Sequence, residues 1–178
     1  MEQAQALPEE IENIDLTVSG LLLNLISEPA AGVAEMIRVT RPGGRIAAYV
    51  WDFARGMQLA RYFWDAAIGL DRAAEPLDQG RRYPLCHPDR LRALFVTAGL
   101  TSVSLESLEI PTPFQDFDDY WGGPIENGHG RASEYLATLA PEHRKRLRER
   151  LRSLLPTRPG GSIPLNALAW VIVGGRGA

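Results

Sequence analysis

Apolar and polar positions change period several times along this chain. Ile14-Asp15-Leu16-Thr17-Val18 alternates, the pattern of a β-strand, and Ser19-Gly20 ends it. Leu21 to Ile26 is a short apolar connector. Pro29 suits a first helical turn, with Ser27 or Glu28 as the cap, and Ala30, Val33, Met36, Ile37 and Thr40 form the inner stripe of a helix. That helix runs into Arg41-Pro42-Gly43-Gly44. Pro42 discourages helix at Arg41 and the glycines permit positive φ, so a tight turn is predicted. Ile46 to Trp51 has too few polar positions for a half-exposed strand and reads as buried on both faces beneath helices. A helix returning through a short loop into a buried strand is the repeating step of an α/β sheet.

The remaining pattern extends this. A helix is predicted over Gly56–Leu70, with Met57, Ala60, Phe63, Trp64 and Ala67 on one face and Tyr62 beside them. Asp71 to Pro84 is charged and irregular and reads as a loop. A second helix starts near Pro88, buries Leu91, Leu94, Phe95 and Ala98, and is capped by Gly99. Thr101 to Ile110 is a strand whose apolar parity slips between Leu105 and Leu108, which predicts a bulge near Glu106-Ser107. Residues 111–160 read as a mostly helical insert, loop-rich as far as Gly130 and carrying Phe114, Phe117, Tyr120 and Trp121. Within it, Pro141 to Leu155 is a helix with Leu147, Leu151, Leu154 and Leu155 inward. Ile163 to Val173 is apolar on both parities, the mark of a central strand, inserted antiparallel between its neighbours. The fold class is therefore α/β, a partial sheet of about four strands, the last antiparallel, flanked by helices.

Composition narrows the functions. The 178 residues suit a single domain spanning 1–178, and 45% apolar with 23% charged residues is ordinary for a soluble protein. Nineteen basic against 22 acidic side chains leave a net charge of −3, so no global field attracts nucleic acid or an anionic membrane. The single cysteine, Cys86, excludes an internal disulfide and fits a reducing cytoplasm. No apolar run has the length of a membrane span, and the N-terminus lacks a signal-peptide pattern. His87, His129 and His143 are scattered, so neither a metal site nor a nucleophile–base pair is legible. The basic face from Arg144 to Arg152, with Glu142 and Glu149 interspersed, reads as a solvated helix face.

Four segments carry a resemblance. They are Gln3-Ala4-Gln5-Ala6-Leu7-Pro8, Ile14-Asp15-Leu16-Thr17-Val18-Ser19, Ala34-Glu35-Met36-Ile37-Arg38-Val39-Thr40-Arg41-Pro42-Gly43-Gly44, and Phe95-Val96-Thr97-Ala98-Gly99-Leu100. In this order the chain resembles, from Gln3 to Val173, the C-terminal half of a class I S-adenosylmethionine-dependent methyltransferase. The type is the small-molecule one that includes quinone C-methyltransferases. The third segment is the most specific. By this resemblance S-adenosylmethionine is the expected cofactor, with Gln3 and Ala4 on its adenine side. Ser19, Gly20, Leu21 and Asn24 fall near its methionine end. Trp51, Asp52, Met57, Tyr62 and Trp64 face the methyl acceptor, a small molecule, and Phe117, Tyr120 and Trp121 form a lid over them. Aromatic walls with few polar groups suit an apolar acceptor; packing of the same aromatics into a core is the alternative. Asp52 is the one carboxylate placed for a general base, with Tyr62 assisting. Methyl transfer needs little beyond alignment, so no catalytic residue is assigned.

The resemblance also marks what is missing. Ile14–Val18 corresponds to the family's fourth strand, and the earlier strands, their glycine-rich turn and the acidic ribose ligand have no counterpart. No G-x-G-x-x-G run occurs, and Gln3 replaces an aspartate. The expectation is a truncated chain with half a cofactor site, inactive alone. The alternative is a non-catalytic remnant or interaction module pairing through an exposed edge at residues 14–18, as a homodimer or with a separate N-terminal partner.

Overall fold

The computed structural model describes residues 7, 8 and 10–178. Its strands are β1 (Ile14–Gly20), β2 (Thr40–Trp51), β3 (Thr101–Pro111) and β4 (Asn166–Gly175). The α-helices are α1 (Pro29–Val39), α2 (Gln58–Leu70), α3 (Gln79–Arg82), α4 (Pro88–Thr97), α5 (Phe117–Tyr120), α6 (Arg131–Thr138) and α7 (Pro141–Leu154). Among the described residues the chain forms two compact units. The first takes the residues up to Asp52, Tyr83–Leu108 and Ala169–Ala178; the second takes Phe53–Arg82 and Glu109–Leu168.

The sheet has the order β1-β2-β4-β3. β1 runs parallel to β2, and β4 lies antiparallel between β2 and β3, the central antiparallel position that its two-sided apolar pattern predicts. Cross-strand partners share a face of a pleated sheet. On one face Ile46, Ala48, Val50 and Ile172 meet Val33 and Met36 of α1 and Leu91 and Phe95 of α4. Each such large side chain, fully buried, contributes roughly 1.5–3 kcal/mol before entropy is subtracted.

The opposite face corrects the expectation that Ile46–Trp51 is buried on both sides, for Tyr49 is 40% exposed, and beside it on β1 Leu16 (52%) and Val18 (53%) are exposed too. The buried face of β2 carries aliphatic Ile46, Ala48 and Val50, whereas Tyr49 and Trp51 on the other face have a polar tip that tolerates exposure.

The Pro42-Gly43-Gly44 segment also differs from its prediction. It lies within β2 rather than before it: Ile14 pairs with Thr40 and Leu16 with Arg45, so four residues of β2 bulge opposite Asp15. Gly43 takes φ +73°, which makes the bulge possible. Thr40 Oγ1 donates to the carbonyl of Met36 at 2.7 Å, so the hydroxyl of Thr17, 2.6 Å away, must donate to Thr40. Arg176 Nη1 donates to the carbonyls of Ile37 (2.9 Å), Arg38 (3.2 Å) and Thr40, a cation at the C-terminus of α1.

In the second unit α2 packs on α7 around Phe63, Trp64, Tyr120, Ile125, Leu136, Leu147, Leu151 and Leu165. Arg61 pairs with Asp78, a carboxylate that also accepts from the amide of Gly80 at 2.9 Å. This helps wind Arg72–Leu77 and α3, within 71–84 that was expected as a loop, into short helical turns; Pro84–Cys86, in the first unit, forms another. Leu154, expected inward, is 37% exposed, and α7 instead reaches the core through Leu147 and Leu151, with Leu155 beyond its end. In β3, Val103 and Leu105 pack into the first unit's core while Leu108 and Ile110 are exposed. The parity slip coincides with the passage from one unit to the other at Leu108.

Candidate functional site

The carboxyl end of β1 opens onto a cleft of about 240 Å³ in the first unit, lined by Leu7, Thr17, Val18, Ser19, Gly20, Leu22, Leu23, Gly32 and Met36. Three elements build it. β1 supplies its last four residues because Ser19-Gly20 ends the strand there. Leu22 and Leu23 come from the connector, and Leu23 is buried. Gly32 and Met36 come from the inner stripe of α1.

Leu7 is brought to the cleft by α1. Glu35 accepts the amide of Leu7 at 2.9 Å and pairs with Arg38 at 2.8 Å. Arg38 in turn donates to the carbonyls of Pro8 (3.2 Å) and Ile11 (3.3 Å). Hydrogen bonds from Arg38, assisted by the Leu7 amide and opposed by burial, hold the Glu35 carboxyl below its usual range. Glu35 and Arg38 were not singled out individually by sequence reading, although both stand inside its most specific motif.

Polar groups at the end of β1 and in the loop that follows it have unused capacity; Ser19 lines the cleft, and Asn24 lies just beyond its lining residues Leu22 and Leu23 in the chain. The Ser19 hydroxyl and both polar atoms of the Asn24 carboxamide are buried and have no hydrogen-bond partner. A buried donor or acceptor left unmade costs about 1–3 kcal/mol, so it calls for a reason. Between them Leu21 takes φ +55°, a left-handed conformation unusual for a branched side chain, and its amide donates to the carbonyl of Tyr49 at 2.8 Å. Strain and unmet hydrogen bonds coincide at one loop.

The structure thus brings Ser19, Gly20, Leu21 and Asn24 to one strand end. Gln3 and Ala4 lie outside the described residues. Trp51 ends β2 and Asp52 follows it, both in the first unit. Asp52 is buried, and its Oδ2 accepts from the indole N–H of Trp170 at 3.1 Å. Met57, Tyr62, Trp64, Phe117, Tyr120 and Trp121 belong to the second unit. There Trp64 and Tyr120 are fully buried, Trp121 is buried, and Met57, Tyr62 and Phe117 pack half-buried against them. The indole of Trp64 donates to Gln79 at 3.3 Å and the phenol of Tyr120 to the carbonyl of Leu59 at 3.1 Å. Among the described residues no group of three or more His, Cys, Asp or Glu side chains could hold a metal ion, and no helix is long and apolar enough to cross a membrane.

An electrophilic, amphiphilic cofactor fits this donor set in part. Of the unpartnered polar groups only Ser19 lines the cleft, Leu22, Leu23 and Met36 give it an apolar wall, and the Asn24 carboxamide is buried in the loop that follows β1. The cleft lies at strand carboxyl ends, where open α/β sheets bind ligands.

No protein-family profile and no curated protein sequence matches the chain. Solved structures do. One is a Bacillus halodurans C-125 protein described provisionally as a methyltransferase, with a TM-score of 0.54 and 12% identity over 99% of this chain and 70% of that one. Another is phosphoethanolamine N-methyltransferase 2 of Haemonchus contortus, in complex with S-adenosyl-L-methionine, with a TM-score of 0.50 and 12% identity. This alignment covers 99% of the present chain and 36% of that enzyme. The four-stranded mixed sheet with its flanking helices therefore has the Rossmann-like fold of class I methyltransferases.

Proposed function

We propose that this chain is a protein of the S-adenosylmethionine-dependent methyltransferase family, of the small-molecule type, in which the loop from Ser19 to Asn24 meets the methionine end of the cofactor. One observation carries the reading: three buried polar atoms without partners, on Ser19 and Asn24, at the strand end where such folds take ligands. The cofactor would supply an electrophilic methyl group. The chain's own part is to hold the amino acid head through Asn24 and Ser19 and to shield it with Leu22, Leu23 and Met36. Trp51 and Asp52, at the end of the neighbouring strand, are the first unit's candidates for the acceptor side. Asp52, whose Oδ2 accepts from the Trp170 indole, would orient a polar group of the acceptor.

The sequence holds no G-x-G-x-x-G turn, which supports weak cofactor binding and no turnover by this chain alone. Calorimetric titration with S-adenosylmethionine tests both halves. The expected result is saturable but weak binding that disappears in Asn24→Leu. Micromolar affinity would overturn the inactivity, and no heat at millimolar cofactor would overturn the site.

A second reading has its own support. β1 is a sheet edge, and Ile14, Leu16 and Val18 are exposed along it. A long apolar edge is a template for pairing with another strand. An interaction module that pairs here should change its association state in Leu16→Lys, measured by light scattering. Indifference to that substitution would remove this reading.

A further inference from the structure

The second unit contains a cationic cleft that the methyltransferase reading leaves unused. It measures about 340 Å³ and is lined by Trp121, Glu126, Pro141, Arg144, Lys145 and Arg148. One wall is the first half of α7. The other is Trp121–Glu126, wound as a π-helical turn, a rare conformation frequent at functional sites.

Charge is concentrated here against the trend of the chain. The protein as a whole carries −3, yet three cations and a single carboxylate line the cleft. Arg144 Nη2 contacts Glu126 Oε1 at 2.5 Å and Arg148 Nη2 contacts Asp118 Oδ1 at 2.6 Å. Each contact occupies one corner of a guanidinium that has five N–H donors. Lys145 has no carboxylate partner among the described residues, and Arg148 Nε is buried with no acceptor.

The site is also ordered in advance. Arg148 lies 5.4 Å from the Phe117 ring centroid and 5.8 Å from that of Trp121, and these two rings stack at 6.3 Å and 15°. A guanidinium held on aromatic faces loses little further freedom on binding. Glu126 and Asp118 each hold one corner of a guanidinium, so Lys145 and the remaining N–H donors of Arg144 and Arg148 are what the cleft offers to an anion with several acceptor oxygens.

We infer that Arg144, Lys145 and Arg148 form a binding site for the dianionic phosphate group of a small molecule. A phosphate carries about −1.5 to −2 charge at neutral pH and offers several strong acceptor oxygens. Guanidinium forks match its geometry, and Lys145 adds a point charge. The opening admits a phosphomonoester or free phosphate. This site lies in the second unit and does not depend on the cofactor cleft of the first.

The test is calorimetric titration of the full chain with inorganic phosphate and, separately, with glycerol 2-phosphate. Saturation below about 10 mM is expected. Equal affinities would assign free phosphate; tighter binding of the ester would assign a phosphomonoester. Lys145→Ala should weaken binding about tenfold, the scale of one charge-assisted contact. Arg150→Ala removes the same charge from an exposed part of α7 outside the cleft and should leave affinity within about twofold. Glu126→Gln removes the competing carboxylate and should tighten binding. Equal losses in Lys145→Ala and Arg150→Ala would show only diffuse helix charge and overturn the site, as would a lack of saturation by either ligand.

Discussion

The phenol of Tyr49 lies so close to the α-carbon of Gly20 that a Cβ there would overlap its oxygen and ring. The two residues are register partners on β2 and β1, and the contact sits at the mouth of the Ser19–Asn24 loop. Gly20→Ala must therefore displace the ring. Because Tyr49 is 40% exposed, it can swing aside, and the expected cost is about 1 kcal/mol. In a Tyr49→Ala background that cost should vanish, a coupling that urea denaturation of the double-mutant cycle measures. Gly44 is the contrasting case. A Cβ there would stand 2.8 Å from the Arg41 carbonyl and 3.0 Å from that of Asp15, both backbone, so Gly44→Ala should cost about 3 kcal/mol.

Asn24 couples binding to stability with opposite signs. Its carboxamide is buried with both polar atoms unbonded, so Asn24→Leu removes a penalty rather than a bond. The ligand-free variant is expected to gain about 1 kcal/mol, seen as a higher denaturation midpoint at unchanged slope. A lower midpoint would show that Asn24 contributes bonds in the free protein.

The second unit should fail in alkali. Burial, with a smaller contribution from Tyr62, pushes the Tyr120 phenol above its usual range, and burial with the nearby Asp71 does the same for Tyr135. A raised phenol favours the neutral form in the fold. Its stabilisation is complete below the ordinary phenol value of about 10 and is lost as pH rises through the folded value. Phenolate absorbance should show a fraction of the five tyrosines ionising only together with unfolding. Tyr120→Phe should flatten that alkaline limb while costing about 1 kcal/mol at neutral pH, through the lost bond to the Leu59 carbonyl.

Much of the architecture was legible because it rests on local chemistry. The alternation of Ile14–Val18, the Pro29 helix start, the Gly99 cap (φ +83°) and the two-sided pattern of the last strand each name their element without reference to distant residues. The end of β1 at Ser19-Gly20 was readable for the same reason, as the close of an alternating run. Gaps opened where a distant partner decides. The run 71–84 has no periodicity of its own and is wound into turns around Asp78, which Arg61 reaches from another helix. Residues 131–138 were read only as part of a mostly helical insert, without a helix of their own, and they form one with Leu136 in the second unit's core.

What the amino-acid order determined by itself, then, is where most of the strands and longer helices lie, though not the bulge at Pro42-Gly43-Gly44 or the turns of 71–84. Those outcomes depend on φ restrictions, caps and apolar period within a few residues. Only the tertiary structure decided that one face of β1 and β2 stays bare while the other packs on α1 and α4, that Ser19 and Asn24 are buried without partners, and that Arg144, Lys145 and Arg148 share a cleft with Trp121. Burial and convergence depend on which surfaces meet, and residues far apart in sequence carry no local sign of the neighbours they will have.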